Sequence, residues 1–169
     1  TAITAVTPTD DGLAVDVDGA RVELWTTGEP HVDEPAGAWA RLDVESGLAW
    51  ISPATVGEYL PQMFAYDALG AIDFEKGCYL GQEIVARAHF RGAVKRQLHR
   101  ATSPSALPVG TTLTDGTRDV GQVVGAAPAR GSSASELLVV APSGTVGRLD
   151  APGPSGNVPV TISWSIPKA

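Results

Sequence analysis

The chain opens with a pattern of period two, which is typical of half-buried strands. Leu13, Val15 and Val17 alternate with Ala14 and Asp16, and residues 22–26 alternate in the same way. Asp18-Gly19 between them tolerates the positive φ angles of a tight turn, so a β-hairpin is predicted. Residues 28–37 carry a glycine, prolines and acids and are predicted to be a loop. Residues 38–44 are predicted to be another short strand.

A helical pattern replaces the alternation over residues 80–90. Four apolar side chains share one face at helical spacing, and Gly92 is a natural stop. The members of that face are Leu80, Ile84, Val85 and Ala88. Residues 74–77 just before it are predicted to be a turn.

The last third of the chain is predicted to be β-rich. Short apolar runs separated by Gly, Pro, Ser and Asp indicate a small barrel or a sandwich. Residues 158–166 alternate most clearly, although Pro159 favours an edge position. The predicted strands are 111–113, 120–124, 137–140, 146–149 and 158–166.

Composition excludes several classes of protein. Apolar residues make up 43% and charged residues 18%, which favours a folded domain over a disordered one. No apolar run is long enough for a membrane span, and no secretory leader is visible. Cys78 is the single cysteine, so no internal disulfide can form, and we expect a cytoplasmic protein. Because the chain starts at Thr1, we expect a fragment or a processed product.

The net charge of −7 hides an uneven distribution. Residues 1–75 hold 14 acids and 2 bases, whereas residues 76–100 hold 6 bases and 1 acid. The total argues against an anionic partner, but the basic segment allows one.

The most informative run is residues 76–83, Lys-Gly-Cys-Tyr-Leu-Gly-Gln-Glu. A cysteine just ahead of a helix lies near unpaired N–H groups and the positive end of the helix dipole, and Lys76 adds positive charge. Both effects stabilise a thiolate, which makes Cys78 more nucleophilic and a better metal ligand. The alternative is that Cys78 is a small buried hydrophobic side chain.

This run resembles the K-G-C-Y-x-G-Q-E signature of the YgfZ family. Residues 86–96 resemble the A-R-A-x-F-R-G-x-x-K-R run that follows it in that family. The similarity covers about residues 41–100. Further similar elements are residues 45–50, 59–62 and 67–74.

The resemblance implies a fold and a function. Members of the family are folate-binding proteins related to the glycine cleavage T-protein, and they assist iron–sulfur cluster assembly or maintenance. The implied fold is α+β. Residues 1–95 would be the remainder of a T-protein-like middle region, and residues 96–169 a C-terminal antiparallel β-barrel. The chain looks like the C-terminal half of such a protein, and a missing N-terminal half would carry much of the folate pocket.

The resemblance also implies roles for particular side chains. Cys78 would be the reactive group, poised by Lys76, unless Lys76 is simply a solvated turn residue. Glu45 would contact the pterin ring, with a surface salt bridge as the alternative. Four residues of the signature helix would line the folate site, with helix capping or a solvated charged face as the alternatives. These four are Gln82, Glu83, Arg87 and Arg91.

The predicted cofactor is tetrahydrofolate or a one-carbon derivative, and a transient iron–sulfur cluster is a further ligand. The implied partners are iron–sulfur proteins or cluster carriers and the missing half, with any tRNA contact indirect or weak. No metal site is predicted, because His31, His89 and His99 show no ligand spacing. A non-enzymatic accessory factor is expected. A folate-dependent aminomethyltransferase is the alternative, and an RNA-binding module ranks third because the sequence shows no aromatic stacking platform.

Overall fold

The chain forms two compact units in a computed structural model that describes residues 3–17, 21–29, 37–92, 94–154 and 156–165. The first unit is Thr1–Pro35 and the second is Ala36–Ala169. The division into domains at residue 95, expected from the resemblance, stays a prediction.

The first unit contains a three-stranded antiparallel sheet in the order β1-β2-β3. Its strands are β1 (Ile3–Thr9), β2 (Gly12–Val17) and β3 (Arg21–Thr26). The pairing of β2 with β3 confirms the predicted strands, while the turn at 18–20 and most of the predicted loop lie outside the described residues. Strand β1 was missed. Gly12 is required where it stands, because a side chain there would overlap the carbonyl oxygen of Trp25.

The predicted strand at 38–44 is wrong: these residues form helix α1 (Ala38–Ser46). Ala40 and Val44 are four residues apart, so they fit an alternating pattern but also lie on one face of a helix. Val44 belongs to a buried cluster, and Ala40 packs against that cluster. Glycines bound the helix, with Gly37 (φ 89°) at its start and Gly47 (φ 74°) at its end. The N–H groups after the last turn donate back to helix carbonyls, which is the usual glycine-terminated ending.

A closed antiparallel barrel of six strands dominates the second unit, in the order β4-β7-β6-β5-β8-β9. This confirms the α+β class and the C-terminal barrel. Pro159 lies in a strand with neighbours on both sides, yet it pairs only with Asp150 of β8, because the β4 ladder begins at Thr161. The strands are β4 (Arg96–Ser103), β5 (Thr112–Thr114), β6 (Asp119–Pro128), β7 (Ser135–Pro142), β8 (Gly147–Gly153) and β9 (Gly156–Ser165).

The sequence of strand β7 is continuously apolar because both faces of the strand are buried. Leu137 and Val139 belong to the cluster that fills the barrel. Leu138 and Val140 face outward into a second cluster, which they share with Val44 of α1 and other residues. Barrel and helix layer are therefore joined through one wall of the barrel.

Two short elements complete the second unit, a 3₁₀ helix (Pro61–Phe64) and helix α2 (Gln82–Phe90). Helix α2 confirms the predicted helix within two residues of its start, but none of its residues is buried. Ile84 on the predicted apolar face is 62% exposed. Within the described part of the chain, no helix is both long and apolar enough to cross a membrane.

Candidate functional site

The signature begins with the predicted turn, which is built on Asp73. Its carboxylate oxygen Oδ1 accepts the N–H groups of Glu75 (2.8 Å) and Lys76 (3.1 Å). The Lys76 ammonium then lies 4.9 Å from the centroid of the Tyr79 ring, a favourable cation–π distance. The Lys76 charge is therefore directed toward Tyr79.

Gln82 is the first residue of α2, and its side chain holds the turn just ahead of the helix; it is not a side-chain cap, because the cap position is Gly81 and has no side-chain hydrogen bond. The Gln82 side-chain oxygen accepts a hydrogen bond from the backbone N–H of Tyr79 (3.1 Å), and its backbone N–H donates to the Tyr79 carbonyl (3.3 Å). Gly81 at the cap position has a φ of 85°, a left-handed conformation that favours glycine.

Cys78 is exposed, three residues before the cap position of α2. The alternative of a buried hydrophobic cysteine is therefore wrong. The thiol is therefore accessible to solvent, while its chemical role stays a prediction.

Helix α2 carries an open groove of about 410 Å³ on one face. Glu83, Arg87 and Arg91 follow one another at intervals of four, so their side chains share this face. The structure thus brings together three of the residues predicted to bind folate. The groove is lined by Glu83, Ala86, Arg87, Phe90 and Arg91.

Glu45, predicted to contact the pterin ring, lies on α1 and does not line this groove. Its carboxylate is 3.9 Å from Nε of Arg41, one helical turn earlier, and the side chain is 45% exposed. The salt-bridge alternative is therefore present, although an exposed pair of this length contributes little stability.

Gln62 attaches α2 to the rest of the unit, a role the sequence did not reveal. Its side-chain N–H donates to the Val85 carbonyl at 2.7 Å, and the residue is only 6% exposed. Its Oε1 atom is buried without a hydrogen-bond partner. The residue falls in one of the elements resembling the family, but only the folded chain shows what it contacts.

A group of stacked rings lies beside the groove and was also missed. The Phe74 and His89 rings are stacked at 3.8 Å with an angle of 19° between their planes. Phe90 meets His89 edge to face at 4.7 Å. Residues 74 and 89 are far apart in sequence, so no short-range pattern predicts this contact.

A smaller cavity of about 160 Å³ lies between α1 and the barrel. The Trp50 indole at its rim donates to Oδ2 of Asp43 at 2.9 Å, and apolar residues such as Val124 line the rest. Among the described residues, no group of three or more His, Cys, Asp and Glu side chains could hold a metal ion.

Comparison with curated proteins finds similar sequences, although no protein-family model matches the chain. Over 87 residues the chain is 48% identical to the "tRNA-modifying protein YgfZ" of Klebsiella pneumoniae (strain 342). That segment is 51% of this chain and 26% of the relative, so the match spans about a quarter of the relative's length. The similarity to the YgfZ family that the signature predicts is thereby confirmed over half of the chain.

Proposed function

We propose that the chain acts as a folate-binding accessory factor in iron–sulfur cluster assembly or maintenance. The observation that carries the proposal is the placement of an exposed cysteine just ahead of a helix whose open groove holds two arginines. The relative's name links that protein to tRNA modification, so iron–sulfur enzymes that modify tRNA are the clients we propose. The cytoplasm is the proposed location, because a lone thiol stays reduced there.

The groove has the chemistry that a folate needs. The glutamate tail of folate is anionic, and Arg87 and Arg91 present planar donors that match carboxylate geometry. The Glu83 carboxylate accepts hydrogen bonds from N–H donors, such as those on a pterin edge. A volume of about 410 Å³ also falls in the range of small-molecule sites.

Cys78 provides one thiol ligand, which is too few to hold a cluster alone. In our proposal the cluster is cargo: Cys78 would contribute one ligand while a carrier or client protein supplies the others. An exposed position suits this task, because the partner's ligands must reach the same iron.

Folate binding is tested by calorimetry with 5-formyltetrahydrofolate. Arg91→Gln should weaken binding about tenfold, since a hydrogen bond to a charged group contributes about 1.5–3 kcal/mol. Arg130→Gln is the matched control, because Arg130 is an exposed arginine in the β6–β7 loop. Absence of binding to the unmodified chain, or equal losses in both variants, would refute the folate site.

The cluster role is tested in cells that lack their own copy of the protein. The unmodified chain should restore iron–sulfur enzyme activity under oxidative stress, and Cys78→Ala should not. Cys78→Ala should still bind 5-formyltetrahydrofolate, which separates loss of the thiol from loss of the fold. Full restoration by Cys78→Ala would rule out the proposed role of the thiol.

A further inference from the structure

We propose that the surface around α2 also binds unpaired nucleic-acid strands. We call it the α2 surface, and it combines exposed rings with exposed cations along one short helix. This surface overlaps the groove proposed for folate, because Arg87, Phe90 and Arg91 belong to both, but the argument for it does not depend on folate binding. Its members are Lys76, Tyr79, Arg87, His89, Phe90 and Arg91.

The rings of the α2 surface provide the stacking platform that the sequence alone did not reveal. Phe90 is 69% exposed and Tyr79 is 40% exposed. Lys76 lies over one face of the Tyr79 ring, so a planar ligand would stack on its other face. Phe74 stacks on His89 and also meets Phe90 edge to face at 6.1 Å. These contacts hold the rings in place, so a base can stack with little further loss of side-chain entropy.

Packing within the chain does not account for the exposed apolar side chains on and just before α2. No residue of α2 is buried, and Leu80 just before it is fully exposed. A solvated helix has no need of a phenylalanine or an isoleucine at such positions, and clustered exposed apolar groups are typical of binding surfaces.

The cations of the α2 surface are spaced for phosphates. Arg87 and Arg91 are four residues apart, which separates them by about 6 Å along the helix axis. Lys76, which precedes the helix in the chain, lies over the Tyr79 ring and adds a third cation to the surface. Glu83 is the single acid among the groove residues.

Exposed rings beside cations select a single strand over a duplex. Bases in a duplex are already stacked and paired, so exposed rings gain nothing from them, whereas each unpaired base offers a face. Folate would fill the groove itself. Tyr79, Lys76 and the Phe74–His89 pair lie outside the groove lining, and a strand several nucleotides long would contact them as well.

The test uses the full chain and fluorescence anisotropy with labelled oligouridine and oligothymidine of about twelve nucleotides. We expect saturable binding at about 50 mM salt that falls steeply by about 200 mM, because phosphate contacts release counterions. Arg91→Gln should weaken binding several-fold and reduce the salt slope by about one. Phe90→Leu, which keeps an apolar side chain but removes the ring, should weaken binding about tenfold at unchanged salt slope.

Controls make each result decisive. Arg130→Gln in the β6–β7 loop should bind as the unmodified chain does. A preference for oligouridine or for oligothymidine identifies the kind of strand, and binding of either supports the site. No binding at low salt, equal binding of a matched duplex, or an Arg130→Gln loss equal to that of Arg91→Gln would overturn it. Circular dichroism of each variant checks the fold, which should be unaffected because α2 buries no side chain.

Discussion

The barrel and the α2 surface use apolar side chains in opposite ways. Leu137, Leu138, Val139 and Val140 on β7 are all fully buried, and each has neighbours that account for its type. On α2, Ile84 and Phe90 remain more than half exposed. Each fully buried aliphatic side chain contributes about 1.5–3 kcal/mol to folding, whereas exposed ones contribute little.

This difference shows where to look for function in the chain. In the barrel, residue types follow from packing, and the physics of folding explains them. On α2 packing explains almost nothing, and yet this helix and the residues just before it hold the exposed cysteine and the whole signature. A ligand or partner is the remaining physical reason for such residues to lie on a solvated surface.

The largest effect is expected in the barrel wall. Leu138→Ala should lower the free energy of unfolding by about 2–5 kcal/mol, since it leaves a cavity between the barrel and the helix layer. Ile84→Ala is the matched control on α2 and should change it by less than about 0.5 kcal/mol. Urea unfolding measures both values. A comparable loss in Ile84→Ala would contradict the contrast between the two regions.

Removing the hydrogen bond that joins α2 to the rest of its unit should have the next largest effect on stability. Gln62→Ala removes the hydrogen bond to Val85 and should cost about 1–3 kcal/mol. Hydrogen exchange should then accelerate more in α2 than in the barrel strands, because the helix has few other anchors. Gln97→Ala on β4 is the control and should leave exchange in α2 unchanged. Uniform acceleration would show that α2 does not open separately.

A pH effect on stability is expected from the barrel wall. Burial lowers the pKa of His99 from its ordinary value of 6.5, against a smaller opposing effect of its backbone hydrogen bonds. The unfolded chain therefore binds a proton more readily than the folded one. This contribution to stability is present above about pH 6.5 and is lost as the pH falls below it.

His99→Gln should reduce this pH dependence, measured as the free energy of unfolding between about pH 7 and pH 5. His89→Gln on exposed α2 is the control and should keep it. If His99→Gln retained the full dependence, the buried histidine would not be its source.

The smallest effect is expected at Asp115, in the exposed turn between β5 and β6, where neighbouring hydrogen bonds stabilise the charged carboxylate. Hydrogen bonds from the Thr117 side chain and from the N–H groups of Thr117 and Arg118 lower the pKa of Asp115 to about 2. Its contribution to stability is therefore present above about pH 3.8 and is lost as the pH falls toward 2. Thr117→Val, which keeps the backbone donors, should raise this pKa part of the way toward 3.8 in an NMR titration. An unchanged pKa would show that the side-chain hydrogen bond is not its main cause.

Much of the fold could be predicted because its patterns are local. Short apolar runs between turn residues, one of them clearly alternating, located five of the six barrel strands within a few residues, and helical spacing located α2. The same kind of pattern failed at α1, because positions such as 40 and 44 are related both by alternation and by a helical turn. Burial against the barrel, rather than the local pattern, decided in favour of the helix.

The sequence by itself determined the fold class, the signature segment and its similarity to a family, since each depends on residues close together in the chain. Only the tertiary structure decided that Cys78 is open to solvent, that Gln62 holds α2 and that Phe74 stacks on His89. It also decided that Glu45 stands apart from the groove. The physical reason is that these facts depend on contacts between distant residues, which form only when the apolar clusters of the second unit bring its elements together.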